Sequence, residues 1–186
     1  MSVSVLDMSI SVDGFIADPH DFLGGEDGER LHAWADSRDP SRPVRQFEDE
    51  WGAAGAILSG RRTAELMDHW GGSHGGLPIF VPSHRPPPPA ARWGYPLVTY
   101  VSDGIESAMA QAKAAAGGKD VQVRGANVAQ GALEAGVLDE IQLHQVPVLL
   151  GEGRRLFDVL PRLVELDVVR VIDTPEATHI RYRVRT

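Results

Sequence analysis

The stretch Ala53-Ala54-Gly55-Ala56-Ile57-Leu58-Ser59-Gly60-Arg61-Arg62-Thr63 decides the fold. It opens with a short apolar run of strand length, which predicts a buried strand over 53–59. Gly60 breaks the run, and residues 61–70 read as a helix with Ala64, Leu66 and Met67 apolar and Trp70 closing it. Strand, glycine and helix in that order are the opening of an α/β unit, and open α/β sheets bind ligands at the carboxyl ends of their strands. Two arginines in a first helical turn oppose the helix dipole at a cost of about 0.3–1 kcal/mol. An anion at that end relieves the cost, because backbone N–H groups and guanidinium forks together make a phosphate site. The plainer alternative is a pair of solvated arginines.

Towards the N-terminus, Val3, Val5, Met8, Ile10 and Val12 stand among Ser2, Ser4, Ser9 and Ser11. The near-alternation predicts a strand with one buried face and a slip at Leu6-Asp7. Asp13-Gly14 ends it in a turn, and Phe15-Ile16-Ala17 resumes apolar. A Gly- and Asp-rich loop is expected over 18–28, then a helix over 29–38 with Leu31, Trp34 and Ala35 at helical spacing. Asp39-Pro40 stops that helix, and Pro43 opens a second one carrying Val44, Phe47 and Trp51.

Towards the C-terminus a loop over 71–76 precedes a strand over 77–81, ended by Pro82. Ser83, His84 and Arg85 then offer hydroxyl, imidazole and guanidinium at a second strand end. Their alternative reading is a polar loop leading into the prolines. Pro86 to Pro89 are expected to form an extended polyproline segment, neither helix nor central strand. A strand over 97–101 leads to a helix from Asp103, read as N-cap with Glu106 three residues on, to Ala116, ending at Gly117-Gly118. Val121 and Val123 mark a strand, Gly125 a turn, and Asn127 a cap for a helix bearing Val128, Ala132, Leu133 and Val137, with Gly136 at its end. A strand over 140–150 and a hairpin of 164–174 with 177–184, around Thr174-Pro175-Glu176, complete the chain. The alternation predicts an α/β domain whose mostly parallel central sheet is covered by helices on both faces and ends antiparallel.

At 186 residues and 20.1 kDa the chain suits one domain, 1–186, rather than two. Hydrophobic residues at 42% and charged residues at 24% are globular proportions and exclude wholesale disorder. A net charge of −8 argues against a dedicated nucleic-acid binder while leaving room for a local basic pocket. The absence of cysteine excludes disulfides, zinc knuckles, thiol nucleophiles and iron–sulfur clusters. No segment has the apolar length of a membrane span and residues 1–11 lack a basic n-region, so a cytoplasmic protein with no membrane partner is expected. The seven histidines show no metal-binding spacing, and Asp68, His69 and His74 read as a polar loop. Trp34, Trp51, Trp70 and Trp93 read as core or pocket wall. Gly71-Gly72-Ser73-His74-Gly75 matches the nucleophile elbow of hydrolases, but that elbow needs a strand before it and a helix after it. A helical segment precedes it here, so a serine hydrolase using Ser73 is the weakest reading.

Two basic strand ends in an acidic protein suggest a cofactor with more than one phosphate, the 2′-phosphate of NADP being one possibility. The turn at Arg124-Gly125-Ala126-Asn127 lets a backbone approach a pyrophosphate, although it is not the G-x-G-x-x-G fingerprint. Gly151 and Gly153 make a turn.

Four segments occur in order: Met8-Ser9-Ile10-Ser11-Val12-Asp13-Gly14-Phe15-Ile16-Ala17; Gly60-Arg61-Arg62-Thr63; Gly131-Ala132-Leu133-Glu134-Ala135-Gly136-Val137-Leu138-Asp139-Glu140; and Pro147-Val148-Leu149-Leu150-Gly151-Glu152-Gly153-Arg154-Arg155-Leu156-Phe157. With them the chain resembles, over nearly its whole length, the dihydrofolate-reductase-like family that includes the reductase domain of riboflavin biosynthesis, and most of all its stand-alone members. The resemblance implies a three-layer dihydrofolate-reductase-like fold binding NADPH. It implies that Gly60, Arg61, Arg62, Thr63, Ser83, His84 and Arg85 embrace the adenosine phosphates and that Gly125, Ala126 and Asn127 approach the pyrophosphate. Ile16 and Ala17 would line the nicotinamide side, and Asp13 would lie near the substrate as polar anchor or proton relay, unless it only forms the turn before Gly14. Family members are often dimers, so a homodimer is expected.

The chain departs from the family at two places. Arg124-Gly125-Ala126 replaces a Gly-Gly turn, where Arg124 either crowds the approach or adds a phosphate contact. Val123 stands where riboflavin reductases carry an acid that serves the substrate. The expectation is an NADPH-dependent reductase of a small heteroaromatic (pterin- or pyrimidine-like) or carbonyl substrate. Its rival is a non-catalytic NADP(H)-binding or ligand-sensing module.

Overall fold

A computed structural model describes residues 2–20, 25–35, 50 and 52–185. The elements are β1 (Ser4–Ser11), β2 (Phe15–Ala17), α1 (Gly25–His32), β3 (Ala54–Ser59), α2 (Arg61–Leu66), β4 (Ile79–Pro82), α3 (Pro89–Gly94), β5 (Val98–Val101), α4 (Ile105–Ala115), β6 (Asp120–Arg124), α5 (Ala126–Glu134), β7 (Glu140–Val146), β8 (Arg154–Arg155), β9 (Leu166–Asp173) and β10 (Thr178–Val184). They fall into two compact units, one of Met1–Leu6 with Ala53–Asp139, the other of Asp7–Gly52 with Glu140–Thr186.

In the first unit the strand order is β5-β4-β3-β6-β1, and every adjacent pair is parallel. Leu58 lies opposite Phe80 on one side and Val123 on the other, and Val123 lies opposite Leu6. Ala56, Ile57, Leu58, Ile79, Val81, Val121 and Val123 are all fully buried. Continuous apolar strands of this kind are what a parallel sheet covered on both faces requires. The Ala-rich α4 packs against β3 and β4 and buries Ala108, Met109 and Ala112.

In the second unit the order is β1-β7-β10-β9, with β10 antiparallel to both β7 and β9. The hairpin expected around Thr174-Pro175-Glu176 is present. The backbone N–H of Thr174 donates to the Ala177 carbonyl at 3.0 Å, and that of Ala177 donates to the Thr174 hydroxyl at 3.1 Å. Leu31, Trp34, Val146 and Ala177 form a core cluster of this unit. The short β2 pairs antiparallel with β8.

Strand β1 corrects the expectation of a single buried face. Ser4, Ser9 and Ser11 are buried together with Val5, Leu6 and Ile10. Each hydroxyl is satisfied, which is what makes its burial tolerable. Ser4 donates to the Val137 carbonyl at 2.7 Å, Ser9 accepts from the Trp34 indole N–H at 2.9 Å, and Ser11 accepts from the Phe15 N–H at 2.9 Å.

Four further expectations shift. The helix predicted over 61–70 stops at Leu66, because Asp68, His69 and Trp70 take φ of 43°, 51° and 50°. The four prolines are not wholly extended: Pro89 opens α3 at the first helical position, where a missing N–H costs nothing. Asp103 and Asn127 are not caps. Gly104 and Gly125 enter their helices at φ of 99° and 100°, a conformation for glycine rather than for Asp or Asn. The first helix begins at Gly25 and ends at His32, earlier than 29–38. The Asp39-Pro40 stop, Val44, Phe47 and Trp51 lie outside the described residues, as does the side chain of Trp93. Among the described residues no helix is long and apolar enough to cross a membrane.

Candidate functional site

In the first unit three parallel strands end side by side, and the candidate residues gather at those ends. The N–H of Gly60, after β3, donates to the carbonyl of Arg124, the last residue of β6, at 2.9 Å. Gly125 follows with φ +100°, and a Cβ there would stand 2.5 Å from the Thr63 hydroxyl. The turn therefore needs a residue without a side chain, and Thr63 lies directly against it. No side chain caps the N-terminus of α5, where Ala126 is buried and Asn127 is exposed.

Arg61 joins the end of β4 to this group. Its Nη1 donates to Ser83 Oγ at 3.0 Å and to the carbonyls of Arg85 and Pro86, both at 2.9 Å, while its Nε donates to Glu65 at 2.6 Å. The guanidinium thus holds the loop after β4 against α2. Arg62 on α2, and His84 and Arg85 on that loop, are exposed. The unit brings Gly60, Arg61, Thr63, Ser83, Arg85 and Gly125 together.

Asp13, Ile16 and Ala17 belong to the second unit. The Asp13 carboxylate accepts from the Ser11 hydroxyl at 2.5 Å, from the Gly151 N–H at 2.7 Å and from the Leu150 N–H at 3.2 Å. The Ser11 hydroxyl foremost, with the two backbone amides, holds its pKa below the usual carboxylate range. Asp13 is therefore ionised at neutral pH and fixed as an acceptor. Ile16 and Ala17 are buried in β2. The chain crosses Ala17 so closely at Gly153, φ +135°, that a Cβ there would stand 2.2 Å from the Ala17 carbonyl oxygen. The Arg155 guanidinium lies 4.4 Å from the centroid of the Phe15 ring and donates to the Asp13 carbonyl at 3.1 Å. The segment around Gly151 and Gly153, read above as a turn, is thus the partner of Asp13 across more than 130 residues of chain, a distance that no local spacing encodes.

Sequence reasoning did not connect residues 68–74 to this end of the first unit. His69 is buried, and its Nε2 lies 2.8 Å from the Tyr100 hydroxyl, while the Tyr95 hydroxyl donates to Asp68 at 2.9 Å. The expected polar loop of Asp68, His69 and His74 is therefore partly core. The Trp70 ring packs on the cluster of Ile57, Ala64, Ile79 and Val81. It meets the His74 ring edge-on at 5.4 Å and the Arg124 guanidinium at 5.8 Å. Burial first, and the Arg124 charge second, hold the His74 imidazole below the ordinary histidine range. Ser73 follows the left-handed segment instead of a strand, which removes the context a nucleophile elbow needs. Among the described residues no group of three or more His, Asp or Glu is placed to hold a metal ion.

No curated protein sequence matches the chain. The solved structures similar to the chain along nearly their whole length include the following three. A putative riboflavin biosynthesis protein from Shewanella sp. PV-4 is 22% identical with a TM-score of 0.77, covering 99% of each chain. A pyrimidine reductase-like protein from Corynebacterium diphtheriae is 15% identical with a TM-score of 0.65, covering 100% of this chain and 92% of that one. Dihydrofolate reductase from Enterococcus faecalis, complexed with NADP(H), is 15% identical with a TM-score of 0.64, covering 99% of this chain and 97% of that one. These likenesses establish the dihydrofolate-reductase-like fold, with its mostly parallel sheet and antiparallel C-terminal hairpin. The model of the RibD C-terminal domain matches residues 4–180, and the chain belongs to that family.

Proposed function

We propose that the chain is an NADPH-dependent reductase of a small heteroaromatic substrate, pyrimidine- or pterin-like, or of a carbonyl compound. The observation that carries the reading is the junction of Gly60, Thr63 and Gly125, where a side chain at Gly125 would strike Thr63. A turn bare of side chain that leads into a helix without a side-chain cap fits a pyrophosphate. Ala126 and Asn127 belong to the same cradle. Thr63, Ser83, His84, Arg62 and Arg85 supply hydroxyl, imidazole and guanidinium donors for the adenosine phosphates, with Arg62 and Arg85 the candidates for a 2′-phosphate. Arg61 serves that site by fixing the loop that carries Ser83 and Arg85.

In the second unit Ile16 and Ala17, buried in β2, are the apolar residues assigned to the nicotinamide side, and Asp13 offers the substrate a fixed negative acceptor. When bound, the nicotinamide supplies the hydride. Asp13, held ionised, orients a substrate N–H or O–H and does not donate the proton.

The family match and the reductase neighbours support this reading. The test is consumption of NADPH by the purified protein across a panel of pterins, aminopyrimidines and carbonyl compounds. Turnover with one class supports the reductase. Tight NADPH binding without turnover on any of them favours the second reading, a non-catalytic NADP(H)-binding or ligand-sensing module.

A further inference from the structure

Asp68, His69 and Trp70 are three consecutive residues other than glycine with φ of 43°, 51° and 50°. Left-handed backbone is unfavourable for such residues and persists only where the surroundings over-determine it. The Tyr95 hydroxyl fixes Asp68 by donating to it at 2.9 Å, and Gly72, φ +95°, admits the Tyr95 ring where a Cβ would stand 2.5 Å from it. The run delivers the His69 ring to a buried place between Tyr95 and Tyr100, at centroid distances of 5.6 and 5.9 Å.

His69 Nε2 lies 2.8 Å from the Tyr100 hydroxyl, while its buried Nδ1 has no hydrogen-bond partner among the described residues. An imidazole with one nitrogen unserved is a poor filler of a core, since an apolar ring packs there without that penalty. The bond to Tyr100 is what a histidine adds at this position. Burial foremost, against the opposing charges of Asp68 and Glu65, holds the imidazole below the ordinary histidine range, so it is uncharged at neutral pH and does not repel Arg61.

Tyr100 stands on β5 opposite Val81 of β4, and the next residue, Val101, accepts at its carbonyl from the Ser83 N–H at 2.9 Å. The Arg61 guanidinium lies 5.4 Å from the centroid of the Tyr100 ring, within the reach of a cation–π attraction. The same guanidinium donates to Ser83 Oγ and to the carbonyls of Arg85 and Pro86. Glu65 thus holds Arg61 from the helix side and Tyr100 holds it from the sheet.

We propose that His69 and Tyr100 are positioning residues for the dinucleotide: their hydrogen bond fixes the ring on which Arg61 rests, and Arg61 sets the loop over 83–86 that carries Ser83, His84 and Arg85. The proposal rests on the NADPH reading for the ligand, and on its own contacts for the loop.

Two measurements on the intact protein test it: hydrogen exchange at the Ser83 and Arg85 amides, read by nuclear magnetic resonance, and fluorescence titration with NADPH and NADH. His69→Phe and Tyr100→Phe remove the same bond from opposite sides. Each is expected to speed exchange at both amides and to weaken both cofactors about fivefold, and the double variant to be no worse than either alone. His69→Gln, whose amide offers both a donor and an acceptor to the hydroxyl, is expected to stay within about twofold of the parent. In an Arg61→Ala background His69→Phe is expected to add nothing further, because its effect passes through Arg61. Unchanged amide exchange in Tyr100→Phe overturns the proposal. So does full additivity with Arg61→Ala, or a His69→Gln variant as impaired as His69→Phe, which would reduce His69 to a matter of shape. Exchange that responds as expected in a protein that binds neither cofactor would keep the loop device and remove the NADPH reading, so the two fail separately. Circular dichroism and thermal melts identify any variant that fails to fold, and Tyr100→Phe then decides in place of His69→Phe.

Discussion

Arg61 and Arg62 are adjacent in the chain and differ in what they hold. Arg61 is spent on Glu65, Ser83 and the carbonyls of Arg85 and Pro86, whereas Arg62 is exposed. Arg61→Ala is therefore expected to loosen the loop after β4, to lower stability by about 1–3 kcal/mol, and to weaken NADPH and NADH alike. Thermal melts and paired cofactor titrations check this. The pair was legible as a basic strand end, because Gly60 and the apolar run before it fix where the arginines stand. Which of the two becomes a staple was not legible, because that depends on carbonyls more than 20 residues away. Asp13 carries a similar lesson. As a carboxylate whose folded pKa is depressed, it contributes stability that is present at neutral pH and lost as pH falls through its lowered folded value. Asp13→Asn is expected to melt below the parent at neutral pH, with the gap narrowing in acid; denaturation curves at several pH values measure it.

Elements were legible where their apolar period was strong and illegible where one backbone conformation decided them. The run of residues 53–59 fixed β3 to within a residue, and the hairpin of β9 and β10 followed from two apolar stretches around a proline turn. The end of α2 escaped because nothing in Asp68-His69-Trp70 announces three left-handed residues; Asp and His tolerate that region modestly and Trp hardly at all. The helix entries at Gly104 and Gly125 escaped because a nearby Asp or Asn is the commoner cap. The turn before α5 gives a direct prediction at this scale. Gly125→Ala combines a strained φ with a Cβ pressed on Thr63 and is expected to cost about 1–3 kcal/mol and to abolish NADPH binding while leaving the fold in place. Chemical denaturation alongside an NADPH titration separates the two effects.

For the molecule as a whole, the α/β class followed from alternating elements, but the two units did not. Each is made of two separated stretches of chain, and the division passes through β1 itself, so no composition shift marks it. The second unit also encloses a buried pair that no spacing announced. His144 and His179 face each other with their Nδ1 atoms 2.6 Å apart, and the Trp34 ring is stacked on His144 at 3.9 Å. One proton fits between those nitrogens. Burial first, then the neighbouring His144 and Arg170, push the His179 pKa down to about 4 from 6.5. The unfolded chain therefore binds protons more readily, and stability present above the ordinary histidine pKa is lost as pH falls from there towards the folded value. The loss is expected to reach about 3 kcal/mol. Unfolding free energies measured between about pH 7.5 and about pH 4.5 should fall accordingly, and His179→Gln should flatten the slope.

The central claim is that the strand ends of the first unit grip a phosphorylated dinucleotide. The most direct measurement is the ratio of NADPH to NADH affinity in the parent protein and in Arg62→Ala and Arg85→Ala, by fluorescence titration. A guanidinium–phosphate pair is worth about 1.5–3 kcal/mol, so at least one variant should lose roughly tenfold to a hundredfold in NADPH affinity with little change for NADH. An equal loss for both cofactors, or no saturable NADPH binding by the parent, would contradict it.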